Sequence, residues 1–143
     1  MRRELPGGYE LDDDRDRVDR AEVHGFLSEE SYWAEGRSRE TMDGLIERAA
    51  RVVGLYCSGE QVGFSRTVDI PDANLVYLAD VYVLTEHRGE GRGVALVRFT
   101  IDEGPFAKRR WLLHTADAHG LYARFGFDPN ERLLERPASE LSV

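Results

Sequence analysis

The sequence predicts an α/β (α+β) domain built on one mixed, mostly antiparallel sheet with helices on both faces. Three observations carry this prediction. Residues 51–57 and 61–68 are two β-rich runs around Ser58-Gly59-Glu60, which reads as a hairpin turn. Residues 75–84 form a nearly continuous apolar run broken only by Asp80, the pattern of a central strand covered on both faces. That run leads into a glycine-rich turn, a helical pattern and another apolar run, which together make a strand, helix, strand crossover.

The elements follow in order. A first strand is expected at 9–11, then the charged stretch 12–19, in which Asp16 is a candidate helix cap. Val18, Ala21, Phe26 and Leu27 give an imperfect helical stripe to about residue 28, weakened by Gly25. Ser38 is the cap candidate for a second helix, with Met42, Leu45, Ile46 and Ala49 at spacings of 3, 4 and 7. Between these helices lies Ser31-Tyr32-Trp33-Ala34-Glu35-Gly36-Arg37, aromatic for a surface loop. Tyr32 and Trp33 either close the edge of the core or line a substrate site. Residues 69–74, with Pro71, read as a turn. Val94, Val97 and Ile101 mark a helix ending at Gly104-Pro105, with Arg98 on its polar side. Residues 111–115 read as a strand, 118–125 as a short helix and 131–134 as a weak last strand.

A chain of 143 residues supports one core, so residues 1–143 are expected to form a single domain. The net charge of -8 argues against nucleic acid as a partner and suits a cationic one. Cys57 is the lone cysteine, sits in an apolar run, and is expected to be a small buried hydrophobe in a reducing compartment. Arg2 and Arg3 are followed by no apolar signal region, and no stretch reaches membrane-spanning length, so the expectation is a cytoplasmic protein with no membrane partner. Nothing in the Cys and His pattern points to a metal, and neither a Ser nor Cys57 has the surroundings of an activated nucleophile.

The glycine turn is the most informative segment. A strand ending in Arg88-Gly89-Glu90-Gly91-Arg92-Gly93 and opening a helix at Val94 is an anion site, because the first helical N–H groups lack intrahelical acceptors. A Walker A loop is excluded, since Gly93 is followed by Val94 and Ala95 rather than Lys and Ser or Thr. A dinucleotide fingerprint fits poorly: Val94 stands where its third glycine belongs, although Asp117 would suit such a fold.

The run Val83-Leu84-Thr85-Glu86-His87-Arg88-Gly89-Glu90-Gly91-Arg92-Gly93-Val94-Ala95-Leu96 resembles the acyl-CoA motif of the GNAT acyltransferase superfamily, with Thr85 in its Pro position and His87 in its Tyr position. Ala118-His119-Gly120-Leu121-Tyr122-Ala123-Arg124-Phe125-Gly126-Phe127 is similar to the second motif of that family, with Thr115 where many members have Asn. The resemblance implies a GNAT fold whose splayed central strands form the acyl-CoA cleft. It implies acetyl-CoA as co-substrate, direct transfer to a primary amine of a small molecule, and by analogy a homodimer. Non-catalytic acyl-CoA binding and protein N-terminal acetylation are the alternatives.

Roles carried over from the resemblance are as follows. The backbones of Val81 and Val83 would bind the pantetheine arm, an N–H near Val81 or Tyr82 would meet the oxyanion, and residues 88–94 would seat the pyrophosphate. Tyr122 would be the acid, although Ala118, Leu121, Tyr122 and Phe125 also form a core stripe. Many relatives carry Glu where this chain has Tyr77, so the base is open. A carboxylate in an apolar strand needs a polar partner, which makes Asp80 an amine anchor or base, or else the partner of Arg66 in an ion pair. The segment 79–83 resembles the corresponding strand of diamine acetyltransferases. His119 and His114 are candidates for proton relay, and Tyr32, Trp33, Asp80 and His119 for contact with the acceptor.

Overall fold

Pro6-Gly7-Gly8 turns the N-terminus back on itself, so the sheet begins earlier than the expected strand at 9–11. In the computed structural model, which describes residues 1–138, β1 (Arg2–Leu5) pairs antiparallel with β2 (Tyr9–Asp12). The arginine pair at the start of the chain therefore belongs to a strand; Arg2 reaches Glu10 and Arg3 reaches Glu103.

After β2 the chain makes a 3-10 turn at Arg15–Arg17 and enters α1 (Arg20–Glu29). Asp16 caps neither. The side chain of Asp14 accepts from the Asp16 N–H at 3.0 Å, and that of Asp19 accepts from the Glu22 N–H at 3.1 Å, because the helix starts after the 3-10 turn. Ser38 does cap α2 (Arg39–Arg48), accepting from the Thr41 N–H at 3.1 Å. The hairpin of β3 (Arg51–Cys57) and β4 (Glu60–Ile70) is as expected, and β4 leads to β5 (Leu75–Val83) through a short 3-10 turn at Pro71–Ala73. α3 (Arg92–Ile101) crosses over to β6 (Trp111–Leu112), and α4 (His119–Ala123) follows.

The strands lie in the order β1-β2-β3-β4-β5-β6, antiparallel except for the parallel pair β5 and β6. Three expectations need correction. The strand foreseen at 111–115 stops at Leu112, since the chain leaves β5 there. Residues 131–134 form no strand, and Leu133 and Leu134 are exposed, with no buried face to hold them against the sheet. Cys57 is half-buried, being the last residue of its strand.

Apolar spacing fixes both faces of the sheet. α1 and α2 bury Val23, Phe26, Leu27, Met42 and Ile46 against Val52, Phe64 and Tyr82 on one face. α3 places Leu96 and Phe99 against Val53, Leu55 and Val83 on the other, with Val97 and Ile101 against Leu78 and Tyr122.

One irregularity in β5 positions the site. Arg66 pairs with Ala79 and Phe64 with Tyr82, so Ser65 alone faces both Asp80 and Val81, and Asp80 takes φ 52°. Such a bulge reverses the alternation of the strand. Upstream, Val76 donates its N–H toward β6, to the Arg110 carbonyl at 2.8 Å; downstream, Leu84 donates toward β4, to the Val62 carbonyl at 2.8 Å. Past the bulge it is therefore the odd residues, Val81 and Val83, whose backbone groups face the β6 side. β6 has already ended at Leu112, so among the described residues no strand meets them.

Phe64 is fully buried between β5 and the α1–α2 layer. Phe64→Ala should lower the urea midpoint by an amount worth about 3–5 kcal/mol, with the slope of the transition unchanged.

Candidate active site

The gap beyond β6 is a cleft of ≈ 1000 Å³, walled by β5 from Tyr77 to Val83 on one side and residues 113–118 on the other. Trp33, Arg37 and Arg66 stand at one end; Arg88, Gly89 and Gly93 stand at the other.

The second end is built for an anion. Gly89 and Gly91 take φ 85° and 78°, which glycine adopts without steric cost, and Gly91 is the N-cap of α3. Among the described residues the N–H groups of Gly91, Gly93 and Val94 have no acceptor. A Cβ placed on Gly93 would meet nothing within 4 Å, so the turn opens onto free space. A smaller hollow of ≈ 340 Å³ adjoins the same glycines and adds Arg124 and Val94 to the wall. A phosphate-bearing group such as the pyrophosphate of CoA fits this donor set.

The charged side chains of the turn do different things. Arg88 lines the cleft and donates from Nε to the Val83 carbonyl at 2.7 Å. Arg92 lies over the Tyr9 ring at 3.8 Å and pairs with Glu90 at 2.8 Å, while the Tyr9 hydroxyl bonds His87 Nδ1 at 2.7 Å. Arg92 thus clamps the turn to β2, and the exposed Glu90 stands outside the cleft.

At the bulge Asp80 is wholly enclosed, its side chain 1% exposed. Oδ2 accepts from Arg66 Nε at 2.7 Å and Arg37 Nη1 at 2.8 Å, and Oδ1 accepts from Trp33 Nε1 at 3.0 Å. The ion pair with Arg66 is present and Arg37 is a second partner, so this carboxylate is already engaged as the counter-ion of two guanidiniums. The neighbouring Tyr82 turns its ring into the α1–α2 layer: it stacks on Phe26 and its hydroxyl bonds Glu22. Burial, and then the Glu22 charge, push that phenol far above its ordinary range, and burial likewise raises the Glu22 carboxyl. Only the backbone of Tyr82 is left for chemistry in the cleft.

Tyr122 enters from α4, whose first turn is closed by Thr115 Oγ1 accepting from the Ala118 N–H at 3.0 Å. Its ring packs edge-on to Phe127 and against Leu78, while its hydroxyl makes no hydrogen bond among the described residues. Burial pushes its pKa up to about 12, helped by Tyr32 and Asp117 nearby. Across the cleft Tyr77 hydrogen bonds to His114 Nδ1, and His114 Nε2 lies 3.3 Å from Glu135. Tyr32 spans the mouth, its hydroxyl accepting from the Ala116 N–H at 3.0 Å. His119 is not brought in. It opens α4 on the solvent side, exposed and outside the cleft wall.

A family model for the acetyltransferase (GNAT) domain matches residues 48–129, more than half of the chain. The chain belongs to the GNAT acetyltransferase family. This GNAT domain is 34% identical to a GNAT-family protein of Xanthomonas campestris pv. campestris, over 91% of this chain and 93% of that one, with a TM-score of 0.81. It shares its fold with a GCN5-related N-acetyltransferase from Ralstonia eutropha JMP134 (22% identity, 92% and 100% coverage, TM-score 0.67). The same holds for a GNAT-family acetyltransferase from Brucella melitensis in complex with acetyl-CoA (18% identity, 86% and 84% coverage, TM-score 0.65). A search of curated proteins gave no match.

The GNAT site includes residues that sequence reasoning did not assign. Arg124 could have been found from its place two residues after Tyr122 in the second motif. Arg37 could not, because nothing local links it to a strand residue 43 positions away.

Removing Asp80 would strand two half-buried guanidiniums. Asp80→Ala should cost about 3–5 kcal/mol in urea unfolding. For Tyr122 the folded pKa lies above the ordinary 10, so its stabilising effect is complete below that pH and lost as pH rises toward about 12. In a tyrosinate absorbance titration, Tyr122→Phe should remove one late step and leave the earlier ones.

Proposed function

We propose that this GNAT enzyme transfers an acetyl group from acetyl-CoA to a primary amine of a small molecule, by direct attack within a ternary complex. One observation carries the reading. A free strand edge at Val81 and Val83, an anion seat at the start of α3 and the unbonded hydroxyl of Tyr122 open on a single cleft.

Acetyl-CoA supplies the thioester whose C–S bond breaks as the amine forms the C–N bond. The protein's part is placement and proton transfer. Backbone groups of Val81 and Val83 extend the sheet onto the pantetheine arm, with one Val83 carbonyl lone pair already taken by Arg88. The N–H groups of Gly91, Gly93 and Val94, together with Arg88 and Arg124, hold the phosphates. The N–H of Val81, turned into the gap by the bulge, is placed to stabilise the developing oxyanion. Tyr122 donates a proton to the departing sulfur, which its neutral phenol can do throughout the ordinary pH range. The proton leaving the amine goes to solvent at the open side of the cleft, since both ring nitrogens of His114 in the wall are engaged, Nδ1 with Tyr77 and Nε2 near Glu135.

Two features favour this reading over the alternatives. The free Tyr122 hydroxyl has no use in a protein that only binds acyl-CoA. The Tyr32 bridge to Ala116 narrows the acceptor mouth, which suits a small molecule better than a polypeptide. The Brucella protein's complex with acetyl-CoA supports the choice of donor.

Two variants should separate binding from chemistry. Gly93→Leu fills the space before α3 and should abolish CoA binding by calorimetry while leaving Tm near that of the parent. Tyr122→Phe should keep CoA affinity and lower kcat for CoA release by about 10²-fold or more. Unchanged turnover in Tyr122→Phe removes it as the acid; unchanged CoA affinity in Gly93→Leu removes the glycine turn as the cofactor seat.

A further inference from the structure

We infer that the acceptor is an amine carrying a carboxylate, of the amino-acid type, and that Arg66 and Arg37 hold that carboxylate. The inference rests on the transfer reading above and names the acceptor it takes.

The donors at this end of the cleft are half-buried and unspent. Arg66 and Arg37 are 11% and 17% exposed and both line the cleft. Arg66 spends only Nε, on Asp80, leaving both terminal nitrogens without a partner among the described residues. Arg37 spends Nη1 on Asp80 and on the Met42 sulfur, leaving Nε and Nη2. Among the described residues the fully buried side-chain polar atoms without a partner are Tyr56 Oη and Thr67 Oγ1, so these guanidinium nitrogens are not sealed in the protein, and both side chains line the cleft.

Charge points the same way. Two guanidiniums against the one carboxylate they share leave one net positive charge at this end of the wall. Asp80 also fixes both guanidiniums in place, so their free edges are held ready before any ligand arrives. A planar fork with free N–H groups is matched by a carboxylate, which accepts from two nitrogens at once. The other acids in the cleft wall are exposed ones, Glu30 at the end of α1 and Asp117 ahead of α4, and neither pairs with these arginines among the described residues.

Position along the strand completes the case. Asp80, which anchors the pair, precedes Val81 and Val83 on β5, and the anion seat follows them. An acceptor held by its carboxylate at the arginines would direct its amine along the cleft toward the thioester. The overall acidity of the chain suits cationic acceptors, but this local field opposes a diamine.

The test uses pairs of acceptors that differ only in charge: amino acids and ω-amino carboxylic acids of increasing length, each beside its carboxamide, with polyamines as a third arm. CoA release by the wild type should be faster for the acid than for its amide by about tenfold or more in kcat/KM. Arg66→Lys, which keeps the charge and loses the fork, should narrow that ratio toward one. Equal or faster turnover of amides or polyamines overturns the inference and leaves the transferase reading standing, as does an acid-to-amide ratio untouched in Arg66→Lys. If no amine releases CoA, the transferase reading falls, and calorimetry on the CoA-bound protein decides the rest: binding of an acid in preference to its amide supports the carboxylate seat, and equal or absent binding overturns it.

Discussion

The site depends on one buried carboxylate in an uncommon backbone conformation. Asp80 sits in the left-handed region at φ 52° within a strand, a placement that costs roughly 1–3 kcal/mol for a residue other than glycine. Three hydrogen bonds from Arg66, Arg37 and Trp33 hold it there. They join β4, β5 and the loop between α1 and α2, so a single side chain ties the sheet to the segment that closes this end of the cleft. The bulge it occupies turns the backbone groups of Val81 and Val83 outward just where β6 gives out. A regular strand would present a different pair of residues to the cleft and leave Asp80 on the face of Leu78.

Local charge matters more here than the total. The chain carries a net charge of -8, yet the cleft is walled by arginines at both ends, Arg88 and Arg124 near the glycine turn and Arg37 and Arg66 beside Asp80. Elsewhere arginines are spent on structural pairs, Arg17 with Glu10 and Asp12, and Arg51 with Asp13, so they add no positive field outside the cleft. A screened surface field acts over about 8 Å at physiological salt, whereas charges inside a cleft act on whatever enters it.

Tyr122 shows how packing and chemistry coincide. The stripe from Ala118 to Phe125 predicted a core residue, and the family motif predicted an acid; the structure has its ring in the core with Leu78 and its hydroxyl left unbonded. Burial of the ring is also what raises its pKa to about 12. The same hydrophobic contacts that anchor a five-residue helix keep the phenol protonated.

Much of the molecule was legible in the sequence alone because it is specified locally. Ser38 caps α2 with its own side chain, the hairpin follows from residues beside it, and the glycine turn carries its anion-binding geometry in a handful of positions. These features, with the tyrosine helix, determined the fold class and the GNAT family. What the tertiary structure decided lies between segments. The partners of Asp80 come from 14, 43 and 47 residues upstream, the bulge exists only as a register against β4, and β6 ends where β5 parts from it. His119 stays in solvent although it is three residues from Tyr122, and residues 131–134 find no strand to join. Periodicity reports which side of an element is apolar; it does not report which distant charge will meet it, because that is set by how the layers pack.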